Sequence, residues 1–106
     1  MWTVETLNAS VDSEIEQLPV DMRARLVRLA SVIEAAGFDG LPSDTVKHLE
    51  DKLWELRLRG RDGIARAIYV TTVKQRVVII RVFVKKTPKT PKPELELARQ
   101  RAKEVK

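Results

Sequence analysis

"LWELRLRGRDGIARAIYVTTVKQRVVIIRVFVKK" runs from Leu53 to Lys86, and in its first segment the apolar positions recur with period two. Trp54, Leu56 and Leu58 fall on one side and Glu55, Arg57 and Arg59 on the other, the pattern of a strand with one wet, basic face. "GRDG" (Gly60–Gly63) supplies a hairpin turn. "IARAIYVTT" (Ile64–Thr72) returns beside it. "VVIIRVFV" (Val77–Val84) is β-branched and nearly continuous, as expected of a strand covered on both faces. A three-stranded antiparallel meander follows, with its last strand ending at Lys85.

The flanks carry the helical period. "WTVETL" (Trp2–Leu7) alternates weakly and suits an opening strand, after which Val11, Ile15 and Leu18 recur at helical spacing up to Pro19. Between Val20 and Ala36, Met22, Leu26, Leu29 and Ile33 share one face of a second helix, and Gly37 supplies its left-handed stop. "FDGLPSDTVKHLED" is turn-rich, with "LPSD" the start of one short helical turn. After the meander, Thr90 is placed to cap a helix whose first turn holds Pro91 and Pro93, followed by an apolar stripe of Leu95, Ala98, Ala102 and Val105. The expected fold is α+β: a small twisted antiparallel sheet, made of the opening strand and the meander, with two N-terminal helices and one C-terminal helix. At 106 residues the chain is expected to be a single domain, residues 1–106.

Composition narrows the function. There are no cysteines and one histidine, His48, so no thiolate site or zinc-ligand cluster is expected, and no cofactor motif is present. No apolar run is long enough to span a bilayer, and "MWTVETLNAS" lacks the charged and apolar regions of a secretory signal, so a cytoplasmic protein without a membrane partner is expected. Residues 1–50 carry four Lys/Arg against nine Asp/Glu, and residues 51–106 carry sixteen against six. A balance of −5 beside one of +10 points to a polyanionic partner for the second half, most simply nucleic acid. A solvated basic face is the competing explanation.

Strand spacing of about 4.8 Å lets Arg57, Arg66 and Lys85 or Lys86 converge on one cationic pocket. Such a pocket suits RNA. Attack of a 2′-hydroxyl on its own 3′-phosphate builds negative charge on phosphate oxygens, which fixed Arg and Lys side chains stabilise without a metal. Solubility and edge protection are the alternative use of such residues. Arg66 resists that alternative, because a guanidinium among Ile64, Ala65, Ala67 and Ile68 needs a partner or a site. Arg81 sits similarly inside "VVIIRVFV" and joins Arg59, Lys89 and Lys92 as a candidate RNA contact. Asp44 and His48 are the candidates for a general base. Glu55 is either a proton acceptor or a charge partner. Trp2 and Trp54 suit core anchors better than base-stacking platforms.

"LWELRLR", "GIARAIY" and "VVIIRVFVKKTPKTPKPELELARQRAKE" together resemble the phage-derived and HigB-type branch of the RelE-like toxins, over roughly residues 47–105. Lys85-Lys86-Thr87-Pro88-Lys89-Thr90-Pro91 is the most specific part of the likeness. The resemblance implies a toxin of a toxin–antitoxin pair acting as a metal-independent, ribosome-dependent mRNA endonuclease, silenced by a cognate helix-turn-helix antitoxin. It also implies that Arg57 and Arg66 contact the phosphate and that Lys85 or Lys86 stands near the leaving oxygen. Many relatives carry histidine where this chain has Arg81, and some carry a tyrosine in the last helix, which here has none. The same fold also serves toxins that bind gyrase and cut no RNA, so a nucleic-acid-binding or gyrase-inhibiting protein is the alternative.

Overall fold

In the computed structural model, which describes residues 1–106, the chain runs β1 (Thr3–Thr6), α1 (Ala9–Glu16), α2 (Val20–Ala36), β2 (Val46–Glu50), β3 (Leu53–Gly60), β4 (Gly63–Thr72), β5 (Arg76–Lys85) and α3 (Lys92–Ala102). A 3₁₀ turn at Phe38–Gly40 follows α2. The five strands form one sheet in the order β1-β5-β4-β3-β2. The α+β class, the meander and the three helices match the expectation.

Two features of the sheet differ from it. β1 pairs with β5 in parallel, so the sheet is mixed, because α1 and α2 carry the chain away and the meander returns β5 beside the opening strand. The supposed turn-rich segment contains a fifth strand, β2, which pairs antiparallel with β3 and has a register shift between His48 and Glu50. "LPSD" forms no helical turn, and the helical turn lies earlier, at Phe38–Gly40.

Both faces of the sheet are covered. Val11 from α1 and Met22, Leu26, Leu29 and Ile33 from α2 pack with Leu56, Leu58, Ala65, Ala67, Tyr69, Val77, Ile79 and Val82 on one face. Ala98 of α3, with Leu95 and Ala102 beside it, packs on Leu53, Ile68, Val70, Val78 and Ile80 on the other. The switch from odd to even positions between Ile79 and Val82 has a cause in the ladder. Ile68 pairs with Arg81 and Tyr69 with Ile79, leaving Ile80 as an extra residue in β5. Every side chain beyond that bulge changes face, so Arg81, Phe83 and Lys85 share the α3 side with Arg66, whereas Val82 faces α2.

β1 ends opposite Ile79, which leaves the outer edge of β5 unpaired beyond it. Side chains complete the edge: Arg101 Nη1 donates to the Ile80 carbonyl at 2.8 Å, and the Val82 amide donates to Glu14 Oε1 at 3.0 Å. At the β3–β4 hairpin, α2 comes so close that a Cβ on Gly60 would lie 2.7 Å from Met22 Cγ. Asp21 Oδ2 there accepts the Arg61 amide at 2.6 Å, tying the start of α2 to the hairpin. Helix α3 begins at Lys92 with Pro91 as its N-cap, and Thr90 caps nothing.

Candidate functional site

On the α3 side of the sheet, cross-strand pairing lines up charge. Lys47 lies opposite Glu55, Arg57 opposite Arg66, Arg66 opposite Phe83, and Ile64 opposite Lys85. Four cations from four strands therefore share one sheet face with one carboxylate. Glu55 is fully buried, as the inward position of β3 beneath the start of α3 requires. A buried carboxylate needs hydrogen bonds and countercharge. Glu55 Oε2 accepts from Arg66 Nη1, its Oε1 accepts from the Thr90 hydroxyl at 3.1 Å, and Arg57 Nε stands 3.9 Å away.

One carboxylate does not satisfy the cations. Arg57 Nε, Arg66 Nε and Lys85 Nζ are all buried and none has a hydrogen-bond partner. Arg57 Nε feels Glu55, but 3.9 Å is too long for a hydrogen bond. Lys85 is only 8% exposed. Burial, followed by the charges of Arg66, Lys47 and Arg57, pushes its amine from the usual lysine value down to about 8. Burial also lowers the Arg66 guanidinium, without bringing an arginine near neutrality. The arrangement offers three unsatisfied donors and excess positive charge to an anion with several oxygens. No group of three His, Asp or Glu side chains converges where it would hold a metal ion.

The other candidates are placed elsewhere. Lys86 is exposed in the loop after β5, as are Lys89 and Lys92 beyond it, and none of the three has an ion-pair partner. Arg59 is paired at 2.6 Å with Asp44, whose carboxyl is held below the usual range by that hydrogen bond and charge. An exposed, ion-paired carboxylate with a depressed pKa is a poor proton acceptor. His48 is exposed on β2 opposite Trp54, on the sheet face away from the cluster, with Nε2 2.8 Å from the Asp51 carbonyl. Of the two expected bases, His48 faces away from the cations, whereas Asp44 feels Arg57 of the cluster but is bound to Arg59.

Arg81 is also committed. Its Nε is 2.7 Å from Glu94 and its Nη1 3.0 Å from Glu14, and its guanidinium lies over the Phe83 ring. It ties α1, β5 and α3 together. Trp2 packs edge-on against Phe38, but Trp54 is 38% exposed and only partly an anchor. Lys47 and Thr90 are the residues the sequence did not offer: Lys47 belonged to a segment with turn signals, and Thr90 stood where a helix cap was expected.

Comparison with known proteins adds the family. The phage-derived Gp49-like protein family matches over residues 13–103. Among curated protein sequences, none matches. The fold is shared with the archaeal RelE–RelB complex structure from Pyrococcus horikoshii OT3, at a TM-score of 0.55 and 22% identity, covering 78% of this chain and 93% of that one. Nearly the whole chain, including all of the cationic cluster, lies within the family match, and the chain belongs to the phage-derived Gp49-like family.

Proposed function

We propose that this protein is the toxin of a toxin–antitoxin pair, a metal-independent endoribonuclease that cleaves mRNA on the ribosome. The observation that carries the reading is the set of three buried, unpartnered cationic nitrogens on Arg57, Arg66 and Lys85. Nitrogens left unsatisfied in the interior destabilise a fold unless a ligand completes them. A phosphodiester does so, and its affinity rises as the reaction proceeds. When the 2′-hydroxyl attacks, its proton passes to solvent water, a 2′-oxygen–phosphorus bond forms, the bond to the 5′-oxygen breaks, and negative charge grows on the phosphate oxygens. Donors already in position stabilise that charge without reorganising. Arg57 and Arg66 serve the phosphate oxygens. Lys85, whose amine is still mostly protonated at neutral pH, gives its proton to the leaving 5′-oxygen.

A small open site orients RNA weakly, which is the reason to assign the ribosome as the holder of the substrate. The antitoxin is read as a small helix-turn-helix protein that covers the basic face, and the pair as cytoplasmic. The archaeal structure that shares the fold is itself a complex with a RelB chain.

The test is primer extension on an mRNA translated in a cell-free system, with Arg66→Lys and Lys85→Met compared against the wild-type chain and folding checked by thermal melting. Both variants are expected to lose cleavage while remaining folded. An ammonium does not reproduce the planar guanidinium, and methionine fills the Lys85 site without a proton to give. Wild-type cleavage by both folded variants would overturn the enzymatic reading. It would leave a binding protein, gyrase-inhibiting or nucleic-acid-binding, as the better account.

A further inference from the structure

Thr90 is where the cationic cluster and the proline-rich loop meet. The loop after β5, residues 86–91, leaves the sheet next to Lys85 and returns at Thr90, whose hydroxyl donates to Glu55 Oε1 at 3.1 Å. That bond is the only one from a loop side chain to the sheet. The other side-chain bond in the loop, Thr87 Oγ1 to the Lys89 carbonyl at 2.8 Å, is internal. Glu55 is thus shared: one oxygen holds Arg66 and the other holds the loop. The residues it secures, Lys86 and Lys89, are exposed and unpaired, with Pro88 and Pro91 restricting the backbone beside them. Exposed lysines bind phosphate well only when their positions are fixed beforehand, since ordering them on binding costs affinity.

We infer that Thr90 is a positioning residue, whose hydroxyl latches the lysine-bearing loop 86–91 to Glu55 beside the phosphate pocket, so that Lys86 and Lys89 meet the RNA phosphates flanking the scissile one. The inference rests on the RNA reading of that pocket and extends it to the flanking backbone. Thr90→Val keeps the β-branched shape and removes the donor. Thr90→Ser restores the donor.

Two measurements test it. Trypsin reports the latch without RNA: cleavage after Lys86 and Lys89 accelerates in Thr90→Val and stays at the wild-type rate in Thr90→Ser, with cleavage after Arg28 in α2 as the control for global unfolding. Binding reports the positioning. Oligoadenylate carrying 2′-O-methyl groups, which cannot undergo 2′-hydroxyl attack, is expected to bind Thr90→Val roughly three- to tenfold more weakly than wild type. It should bind Lys86→Ala/Lys89→Ala no more weakly once Thr90→Val is added. Unchanged trypsin cleavage in Thr90→Val overturns the latch. Loss of affinity that is additive with the lysine substitutions overturns the positioning role. Failure of the wild-type chain to bind the oligonucleotide overturns the RNA reading and the positioning role with it, and the trypsin result still decides whether the latch exists.

Discussion

Lys85 and Lys86 are adjacent lysines with opposite fates, and the difference is physical. One is the last residue of a covered strand, its amine buried and unpartnered, and the other is in water. The amine's fall to about 8 gives Lys85 a measurable signature. The unfolded chain binds this proton up to about the ordinary lysine value, the folded chain only up to about 8. Between those two pH values folding therefore releases a proton, and stability rises with pH. Below about 8 both states are protonated and the full cost of burying the charge remains. Urea unfolding at several pH values is expected to show that rise in wild type and not in Lys85→Met, and cleavage is expected to decline above about pH 8 as the donor is lost. Arg66 was legible in the sequence because a guanidinium among isoleucines and alanines demands a partner. Arg81 looked alike and differs because Glu14 and Glu94 reach it from two helices, which no local pattern reveals. The Glu55 pairing also sets the cost of losing Arg66. Arg66→Ala leaves a buried carboxylate with Arg57 only at 3.9 Å, so a loss of about 3 kcal/mol of stability is expected in urea unfolding. A well-folded, fully stable alanine variant would show that the pair contributes nothing.

Among the elements, those with a strong period were legible and those fixed by neighbours were not. The meander and α2 follow from alternation and from the spacing of Met22, Leu26, Leu29 and Ile33. β2 did not, since Pro42, Ser43 and Asp44 supply turn signals just before it and its ladder is interrupted after His48. It becomes a strand because β3 offers it an edge. The bulge at Ile80 was hidden for a related reason: in "VVIIRVFV" nearly every position is apolar, so a change of face leaves no trace. Two elements meet too closely for anything but glycine at Gly60. Gly60→Ala would set a methyl 2.7 Å from Met22 Cγ and 2.8 Å from Asp21 Oδ2, and a loss of about 1–3 kcal/mol is expected from the forced shift of these α2 side chains. A thermal melt unchanged by Gly60→Ala would mean that α2 yields freely. Glu14 makes a larger demand, since it completes the β5 edge at Val82 and pairs with Arg81 and Arg101. Glu14→Ala strands the Val82 amide, leaves Arg81 with Glu94 alone and takes from Arg101 its carboxylate partner, and about 3 kcal/mol of destabilisation is expected by the same urea measurement.

At the scale of the whole molecule, the division of charge between the two halves of the chain takes on a definite shape. Part of the basic excess is neutralised inside the fold: Arg59, Arg76, Arg81, Arg99 and Arg101 all have carboxylate partners, several of them from the acidic first half. Composition counted those arginines with the rest, and so overstated the charge available to a partner. What remains is partly scattered, on Lys52, Arg61, Lys74, Lys103 and Lys106, and partly gathered in one place: Arg57, Arg66, Lys85 and Lys47 on the sheet face that holds Glu55, and the unpaired Lys86, Lys89 and Lys92 beyond it. The two adjacent lysines and the basic, proline-studded loop at the end of β5 are one place where unneutralised charge is displayed. If that display meets RNA, each phosphate it neutralises releases counterion, and the logarithm of affinity falls by about 0.7 per contact for each unit in the logarithm of salt. Three to six contacts from these residues give a slope of roughly −2 to −4. The measurement is the affinity for single-stranded 2′-O-methyl RNA from low to physiological salt, and Lys86→Ala/Lys89→Ala is expected to lower the slope by about one to one and a half units. Arg99→Ala, which removes a guanidinium already bound to Glu50, should leave it unchanged. A flat dependence in wild type, or equal changes from both variants, would show that the unpaired cations of this face do not contact phosphate.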